Sequence, residues 1–506
     1  MTTRTSLAAA GAAGALVAAG LLAATLPAHA STSGCSVSYM VQNQWPGGFT
    51  GNVSITNLGS PVPSWALTFD FPDTAQKVTQ GWSATWSQSG TQVTAASMSW
   101  NGSLATNGST TIGFNGSWSG TNPAPTDFAL NGTPCTGAVI SPSPSGSSSP
   151  SAGPTGPSGY QVPAPALHVA GNRLVTADGS QIRLLGVNRS SGEFACIQGN
   201  GMWDGPADQA SVDAMKAWNI HAVRIPLNEE CWLGTADVPA GGTSGAAYQK
   251  AVKDYADLLV ANGINVILDL HWTYGQYTGS GAGCSDTAAT CQKPMPDQKY
   301  TPAFWSQVAT AFKGDDAVVF DLFNEPYPDA ANGWTDATEA WTCLRDGGTC
   351  TGIGYPVAGM QSLVDAVRAT GATNVVMTGG LTWTNDLSQW LAYAPKDPTG
   401  NLVASWHSYN FNGCVTTSCW DSTVGTVAAK VPVQLGEIGQ NTCAHDYIDQ
   451  VMSWADSNRL GYLAWTWNPW GVCGSSGNDL ITDWSGTPTS TFGEGFKAHL
   501  LTQQPH

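Results

Sequence analysis

Residues 318–326 read Val-Val-Phe-Asp-Leu-Phe-Asn-Glu-Pro. An apolar run of strand length that ends in Asn324-Glu325 and is stopped by Pro326 reads as a buried strand with polar chemistry at its C-terminal end. The same design recurs along the chain. Strand-like runs occupy Ile182–Asn188, Ala222–Leu227, Asn265–Trp272, Val318–Glu325, Asn374–Gly379, Leu402–Tyr409, Pro432–Glu437 and Gly461–Asn468. Stretches of helical period lie between them, at Ala207–Trp218, Tyr248–Asn262, Pro302–Lys313, Pro356–Thr370 and His445–Arg459, and Phe492–Leu501 reads as a last helix. Eight buried strands alternating with helices predict an α/β fold, a (β/α)8 TIM barrel. A doubly wound open sheet is the alternative, but no G-x-G-x-x-G follows the first strand to favour it.

In such a barrel the active site forms at the C-terminal ends of the strands. Polar residues gather there: Asn188, Arg224, Asn228, His271, Asn324, Glu325, His407, Tyr409, Glu437 and Asn468, with Trp467 beside them. Glu325 and Glu437 are a pair of carboxyls, as cleavage of a glycosidic bond requires. One protonates the leaving oxygen, and the other attacks the anomeric carbon or activates water. The acid must stay protonated near neutral pH, which burial beside like charge achieves. The other must stay ionised, and Arg224 and Tyr409 are placed to donate to it. The plain alternative is that each Glu is only a salt-bridge partner of Arg224. Glu229 and Glu230 read as loop carboxylates within reach of substrate. Trp203, Trp232, Trp272, Trp383 and Trp470 lie in loops or at strand ends, where sugar stacking and barrel–helix packing both account for them.

Outside the barrel, composition organises the rest. The chain has 506 residues, with 18 Lys+Arg against 35 Asp+Glu, and no basic patch to favour nucleic acid or an anionic membrane. Residues 1–30 pair Arg4 with an Ala/Leu/Gly/Val run ending Ala28-His29-Ala30, the pattern of a secretory signal peptide, so a secreted, extracellular protein is expected. No later stretch is apolar enough to span a membrane. The 12 Cys all follow that segment and predict a disulfide framework. Connectivity does not follow from sequence alone, but spacing suggests the pairs Cys35–Cys135, Cys196–Cys231, Cys284–Cys291, Cys343–Cys350, Cys414–Cys419 and Cys443–Cys473, and no His/Cys spacing matches a zinc site. Residues 141–159 are Ser, Pro, Gly or Thr except for Ala152, and read as a flexible linker. The expected division is a signal peptide at 1–30, a first domain at 31–137, a linker at 138–163 and the barrel at 164–506.

The first domain reads as an all-β sandwich. Short alternating runs such as Val53-Ser54-Ile55-Thr56 and Ala66-Leu67-Thr68-Phe69 are separated by Gly, Asn and Pro turns. It carries Trp45, Trp65, Trp82, Trp86, Trp100 and Trp118, more indoles than a domain of this size can bury. Gln44-Trp45, Gly48-Phe49, Trp65-Ala66-Leu67-Thr68-Phe69, Gln80-Gly81-Trp82-Ser83, Trp100-Asn101-Gly102, Gly113-Phe114-Asn115-Gly116 and Asn131-Gly132-Thr133-Pro134-Cys135 resemble a family 2 carbohydrate-binding module. The resemblance implies that Trp45, Trp82 and Trp100 bind cellulose from one flat face, with Trp65 buried.

The barrel resembles glycoside hydrolase family 5 over residues 166 to about 500. The strings that carry this are Val223-Arg224-Ile225-Pro226, Leu268-Asp269-Leu270-His271, Phe323-Asn324-Glu325-Pro326, His407-Ser408-Tyr409, Leu435-Gly436-Glu437-Ile438-Gly439 and Trp465-Thr466-Trp467. The resemblance implies Glu325 as acid/base and Glu437 as nucleophile of a retaining double displacement. It implies Asn324 on the 2-hydroxyl, Arg224 and Tyr409 orienting Glu437, His271 and His407 lining the site, and Trp467 as the platform under the sugar at subsite −1. No metal or cofactor is implied, and a monomer acting on polysaccharide is expected. Two features depart from the best-known endoglucanase branch: the loop Asn188-Arg189-Ser190-Ser191-Gly192-Glu193-Phe194, and Trp272 after His271 where that branch has a second His. The expected activity is endo-β-1,4-glucanase (cellulase). The alternatives are an endo-β-1,4-mannanase, a xylanase or a mixed-linkage glucanase of the same family, or a glycan-binding protein without catalysis.

Overall fold

The computed structural model describes residues 34–45, 47–98, 101–106, 108–119, 121–140, 160–278, 286–470 and 478–504. The expected signal peptide and the 141–159 linker lie outside the described residues, as do Trp100, the side chain of Trp45, Cys284 and Cys473. The chain divides into two compact units, Met1–Ser151 and Ala152–His506, and the division falls within the Ser/Pro/Gly stretch.

The first unit is a sandwich of two five-stranded sheets. One sheet runs Thr136–Ile140, Cys35–Trp45, Gly48–Asn57, Ser109–Ser117, Lys77–Trp82; the other runs Thr85–Ser89, Gln92–Ala96, Ala66–Asp70, Ala129–Leu130, Thr133–Pro134. Alternation sets the faces: in Gly48–Asn57 every second residue from Phe49 is buried. The inward residues form an aromatic core of Tyr39, Phe49, Phe69, Phe71, Phe114 and Phe128. The Cys35–Cys135 disulfide ties the start of strand Cys35–Trp45 to the residue just before strand Thr136–Ile140. Of the six indoles, Trp65 is buried, with its N–H donated to the Asn101 carbonyl. Trp82 is 42% exposed. Trp86 leans on Phe114, and Trp118 donates to the Gly48 carbonyl, so both are partly in the core.

The second unit is a closed barrel of eight parallel strands in sequence order. They are strand 1 Leu185–Asn188, 2 Ala222–Asn228, 3 Asn265–Trp272, 4 Val318–Asp321, 5 Val376–Thr378, 6 Leu402–Tyr409, 7 Val433–Gly439 and 8 Gly461–Ala464. Strands covered on both faces read as near-continuous apolar runs, which is why each was legible in the sequence. Strands 4 and 8 stop earlier than the runs predicted. Beyond Asp321 the chain leaves the ladder but stays alongside strand 3, with Asn324 N–H bonded to the Leu270 carbonyl. Five of the six predicted helices keep their place within one to two residues at each end, and the fourth begins later, at Met360. At the N-terminal mouth, Leu167 and Leu174 of a small hairpin pack with the interior residues Ala222, Ile267, Val319, Val403 and Leu463. That end is closed by apolar packing, which leaves the opposite rim for chemistry.

Four of the predicted disulfides are formed between described residues: 35–135, 196–231, 343–350 and 414–419. Cys291 and Cys443 are also disulfide-bonded. Their predicted partners, Cys284 and Cys473, lie outside the described residues.

Candidate active site

Arg224, on strand 2, is the hub of the C-terminal rim. Its side chain is fully buried and meets acceptors from five places. It reaches Asp269 on strand 3 at 2.9 Å, Asp321 on strand 4 at 3.0 Å and Glu437 on strand 7 at 2.9 Å. It also donates to the Oδ1 atoms of Asn188 and Asn324, at 2.9 and 2.8 Å. One cation thus faces three carboxyls. Burial lifts both Asp269 and Asp321 to about 7, with Arg224 opposing the rise.

Glu437 sits where strand 7 is irregular. The register against strand 6 shifts between Trp406 and His407, and against strand 8 between Leu435 and Ile438. Such bulges re-aim a side chain. The glycines on either side make the room: a Cβ at Gly436 would come within 2.8 Å of His407 Nε2, and one at Gly439 within 2.6 Å of the Tyr409 ring. Glu437 Oε1 accepts from Arg224 Nη1, and Oε2 accepts from the Tyr409 hydroxyl at 2.6 Å. Burial and the nearby Glu325 raise its pKa, while His407, Arg224 and His271 oppose the rise. Tyr409 is held well above its ordinary pKa, chiefly by burial, so its hydroxyl remains a donor.

Glu325 stands just past the end of strand 4. Its Oε1 lies 2.9 Å from His407 Nδ1, and its Oε2 accepts from the Gln292 amide at 3.1 Å. Burial raises this carboxyl, with His271, Gln292 and Arg224 opposing. Burial drives His407 down to about 3, so the imidazole between the two glutamates is neutral. One oxygen of each glutamate and one ring nitrogen of His407 lie within 4.8 Å of one another. Carboxylate and imidazole at this spacing also have the make-up of a cation site. Here protein donors already engage both carboxyls, Arg224 and Tyr409 on Glu437 and Gln292 on Glu325.

His271 completes the floor. Its Nδ1 is 2.6 Å from Asp269 Oδ2, its ring lies against Trp465 at 5.4 Å and 18°, and burial lowers its pKa. Near it, Glu193 of the loop after strand 1 is buried and accepts from the Ser191 N–H and the Ser190 hydroxyl. The structure therefore brings together Arg224, His271, Asn324, Glu325, His407, Tyr409 and Glu437.

Two readings are corrected. Trp467 is not exposed to a sugar: it is fully buried, edge-on to Trp218 at 4.9 Å. Strand 8 ends at Ala464, and Trp467 N–H bonds instead to the Asn188 carbonyl, so the indole turns into the barrel–helix layer. Trp465, two residues earlier, is partly exposed at this rim. Glu229 and Glu230 are not in reach of substrate either. Both are buried ties between loops: Glu229 accepts from Tyr274 N–H and the Thr301 hydroxyl, and Glu230 from Ala289 N–H and the Thr235 hydroxyl. Trp232 is likewise core, whereas Trp470 is 42% exposed. The sequence reading also passed over Asp269, Asp321 and Gln292. Asp269 was discoverable, because it shares a strand face with His271. Gln292 reaches Glu325 from a loop, which no local pattern encodes.

A parallel barrel whose open rim holds two buried carboxyls, one bonded to a guanidinium and a phenol, has the layout of a glycoside hydrolase. Comparison with known proteins makes the class specific. Residues 175–471 match the cellulase (glycosyl hydrolase family 5) model, and residues 35–135 match the cellulose binding domain model. The chain belongs to glycosyl hydrolase family 5 and carries a cellulose-binding domain ahead of the barrel. It is 30% identical over 466 residues to endoglucanase CelA of Streptomyces lividans, covering 89% of this chain and 87% of that one. It is 55% identical over 111 residues to endoglucanase B of Cellulomonas fimi, which is 22% of this chain and only 10% of that protein. A β-glucanase from Saccharophagus degradans, solved with cellotetraose, shares the fold at a TM-score of 0.50 and 19% identity, over 70% of this chain and 97% of that one.

Proposed function

We propose that the protein is a secreted retaining endo-β-1,4-glucanase that cleaves cellulose chains, held near its substrate by the front module. The observation that carries the mechanism is the unequal surroundings of Glu325 and Glu437, which face each other closely enough that one oxygen of each lies within 4.8 Å of the other. Retaining enzymes keep their carboxyls about 5–5.5 Å apart, and inverting ones about 6.5–9.5 Å. Glu437, with a charged donor on one oxygen and a hydroxyl on the other, is the group that ionises more readily. It attacks the anomeric carbon. Glu325, bonded only to a neutral imidazole and an amide, carries the proton and gives it to the departing oxygen. In the second step Glu325 takes a proton from water, whose oxygen displaces Glu437 and restores the anomeric configuration.

The supporting residues take roles from their free atoms. Asn324 spends its oxygen on Arg224, so only its amide N–H2 is left to donate to a sugar hydroxyl. Trp465 replaces Trp467 as the platform under the sugar at subsite −1. Trp82 contributes to the binding face of the module, which raises the effective concentration of the enzyme at the polymer. The assignment to β-1,4-glucan draws on the family and on the endoglucanase from Streptomyces lividans.

Reducing-sugar release from carboxymethyl cellulose, mannan, xylan and mixed-linkage glucan, measured side by side, tests the substrate. Fastest release from mannan or xylan overturns the glucanase reading but leaves the mechanism. Proton NMR of the first product tests the mechanism: an inverted anomer rejects it. Glu325→Gln is expected to lower the rate on polymer by about 10²–10⁴-fold, and unchanged activity would return the protein to a binding role.

A further inference from the structure

We propose that Glu229 and Glu230 are positioning residues for the proton donor: they fix the segment 286–300 on both sides of Gln292, so that its amide meets Glu325. This rests on the proposed role of Glu325 as proton donor. Neither Glu229 nor Glu230 is in reach of substrate, and both are fully buried. A buried carboxyl is costly unless its oxygens are engaged, so what these oxygens engage is informative.

The two glutamates follow strand 2, which carries Arg224, and open the short helix Glu229–Leu233 capped by Asn228. The Cys196–Cys231 disulfide ties that turn to the loop after strand 1. From this frame the side chains reach across to the chain beyond strand 3. Ala289, ahead of Gln292, is held at both of its backbone groups: its N–H is donated to Glu230 Oε2 at 2.6 Å, and its carbonyl accepts from the Asn228 amide at 2.7 Å. Beyond Gln292, the Thr301 hydroxyl donates to Glu229 Oε2 at 2.7 Å, while Glu229 Oε1 accepts from Tyr274 N–H at 2.5 Å. Asp297 lies 3.1 Å from the same hydroxyl and accepts from Tyr300 N–H at 2.7 Å. Burial, then the charge of Asp297 and a hydrogen bond with it, hold Glu229 well above the ordinary carboxylate range. Two carboxyls bond to each other only when one carries a proton, so this contact sets a neutral acid against a carboxylate.

Gln292 stands between these two anchors. Its amide donates to the Glu325 carbonyl at 3.0 Å and to Glu325 Oε2 at 3.1 Å, so it grips the proton donor at backbone and side chain together. The Gln292 and Pro294 carbonyls accept from the Tyr327 hydroxyl at 3.2 Å and the Tyr327 N–H at 2.9 Å, which joins the same segment to the chain just past Glu325. Residues 286–300 form no helix or strand of their own. Without a ladder, side-chain ties carry the placement of Gln292, and a shift of about 1 Å at a reacting group can lower a rate by about 10²-fold.

The test compares kcat/KM for two substrates on the intact protein. The leaving group of cellohexaose needs a proton, and that of β-cellobiosyl fluoride needs none. Glu229→Ala and Glu230→Ala are each expected to lower kcat/KM on cellohexaose roughly ten- to hundredfold and to leave the fluoride unchanged. Glu230→Gln, which keeps an oxygen for Ala289, is expected to recover most of the loss. Gln292→Leu should show the same selective loss, and adding either alanine to it should lower the rate little further, because the effect passes through that amide. Where an alanine variant does not fold, the aspartate at that position takes its place: it keeps the carboxyl but withdraws it by one methylene, and the same selective loss is expected. Equal losses on both substrates, no loss on either, or losses that add fully to that of Gln292→Leu overturn the proposal. If Glu325→Gln loses as much on the fluoride as on cellohexaose, the proton-donor reading fails instead, and if the unaltered enzyme hydrolyses neither substrate, the glucanase reading fails.

Discussion

Replacing Tyr409 by Phe removes one hydrogen bond and little else. The ring is packed against Phe411 at 5.1 Å and 21°, and Phe keeps that contact. What disappears is the hydroxyl donated to Glu437 Oε2 at 2.6 Å, a short bond to a buried carboxyl. Hydrogen bonds to charged groups contribute about 1.5–3 kcal/mol, and one pKa unit corresponds to about 1.4 kcal/mol. The donor favours the ionised form, so its loss raises the Glu437 pKa by about 1–2 units. In the proposed mechanism Glu437 attacks only when ionised, so activity is expected to fall as pH drops through its pKa. The acid limb of the kcat/KM profile on a soluble oligosaccharide is therefore expected to move to higher pH by about 1–2 units. The two glutamates interact, so the limb belongs to the pair, and the comparison must be with the unaltered enzyme under the same conditions. An acid limb that stays in place, or moves down, refutes the reasoning. Movement of the alkaline limb alone would mean that the two glutamates exchange roles.

Gln292→Leu withdraws the amide from Glu325, which raises that carboxyl further; the alkaline limb of the same profile should move up by up to about one unit, leaving the acid limb nearly still. Trp465→Ala should weaken oligosaccharide binding with little change in Tm, whereas Trp467→Ala should cost about 3–5 kcal/mol of stability by denaturant titration, because only the second indole is core. Asp321 is lifted to about 7 by burial, above the ordinary carboxylate value near 4, so between those values the folded chain holds a proton the unfolded chain has lost. Its contribution to stability is full below about pH 4 and is lost as pH rises toward 7; Asp321→Asn should flatten the stability–pH curve there by up to about 1.4 kcal/mol per pH unit, and parallel curves would contradict this.

The barrel was legible because its strands are buried on both faces. A run such as Val318–Asp321 has no solvent side, so it reads as unbroken apolar sequence with polar residues only where the strand reaches the rim. The same logic located Glu325 and Glu437, each at the end of such a run. It failed where the backbone leaves the ladder. Trp465 and Trp467 alternate in sequence, but strand 8 stops at Ala464, so alternation no longer says which indole faces outward. It also failed at Glu229 and Glu230, which follow a rim residue directly yet turn into a short helix and bury their carboxyls against other loops. Contacts that join segments far apart, such as Gln292 to Glu325, leave no periodic trace.

The proposed division of labour between the two glutamates rests on one arginine. Arg224 could not be replaced by lysine with the same effect, because an ammonium is a point charge and lacks the planar fork that meets five acceptors at once. Asp269 and Asp321 anchor that fork from strands 3 and 4, at 2.9 and 3.0 Å. Its remaining edge reaches Glu437 and not Glu325. Glu325 receives an amide and a neutral imidazole, donors that do far less to favour ionisation. In the proposed mechanism this difference in donors is what favours attack by Glu437 and proton donation by Glu325.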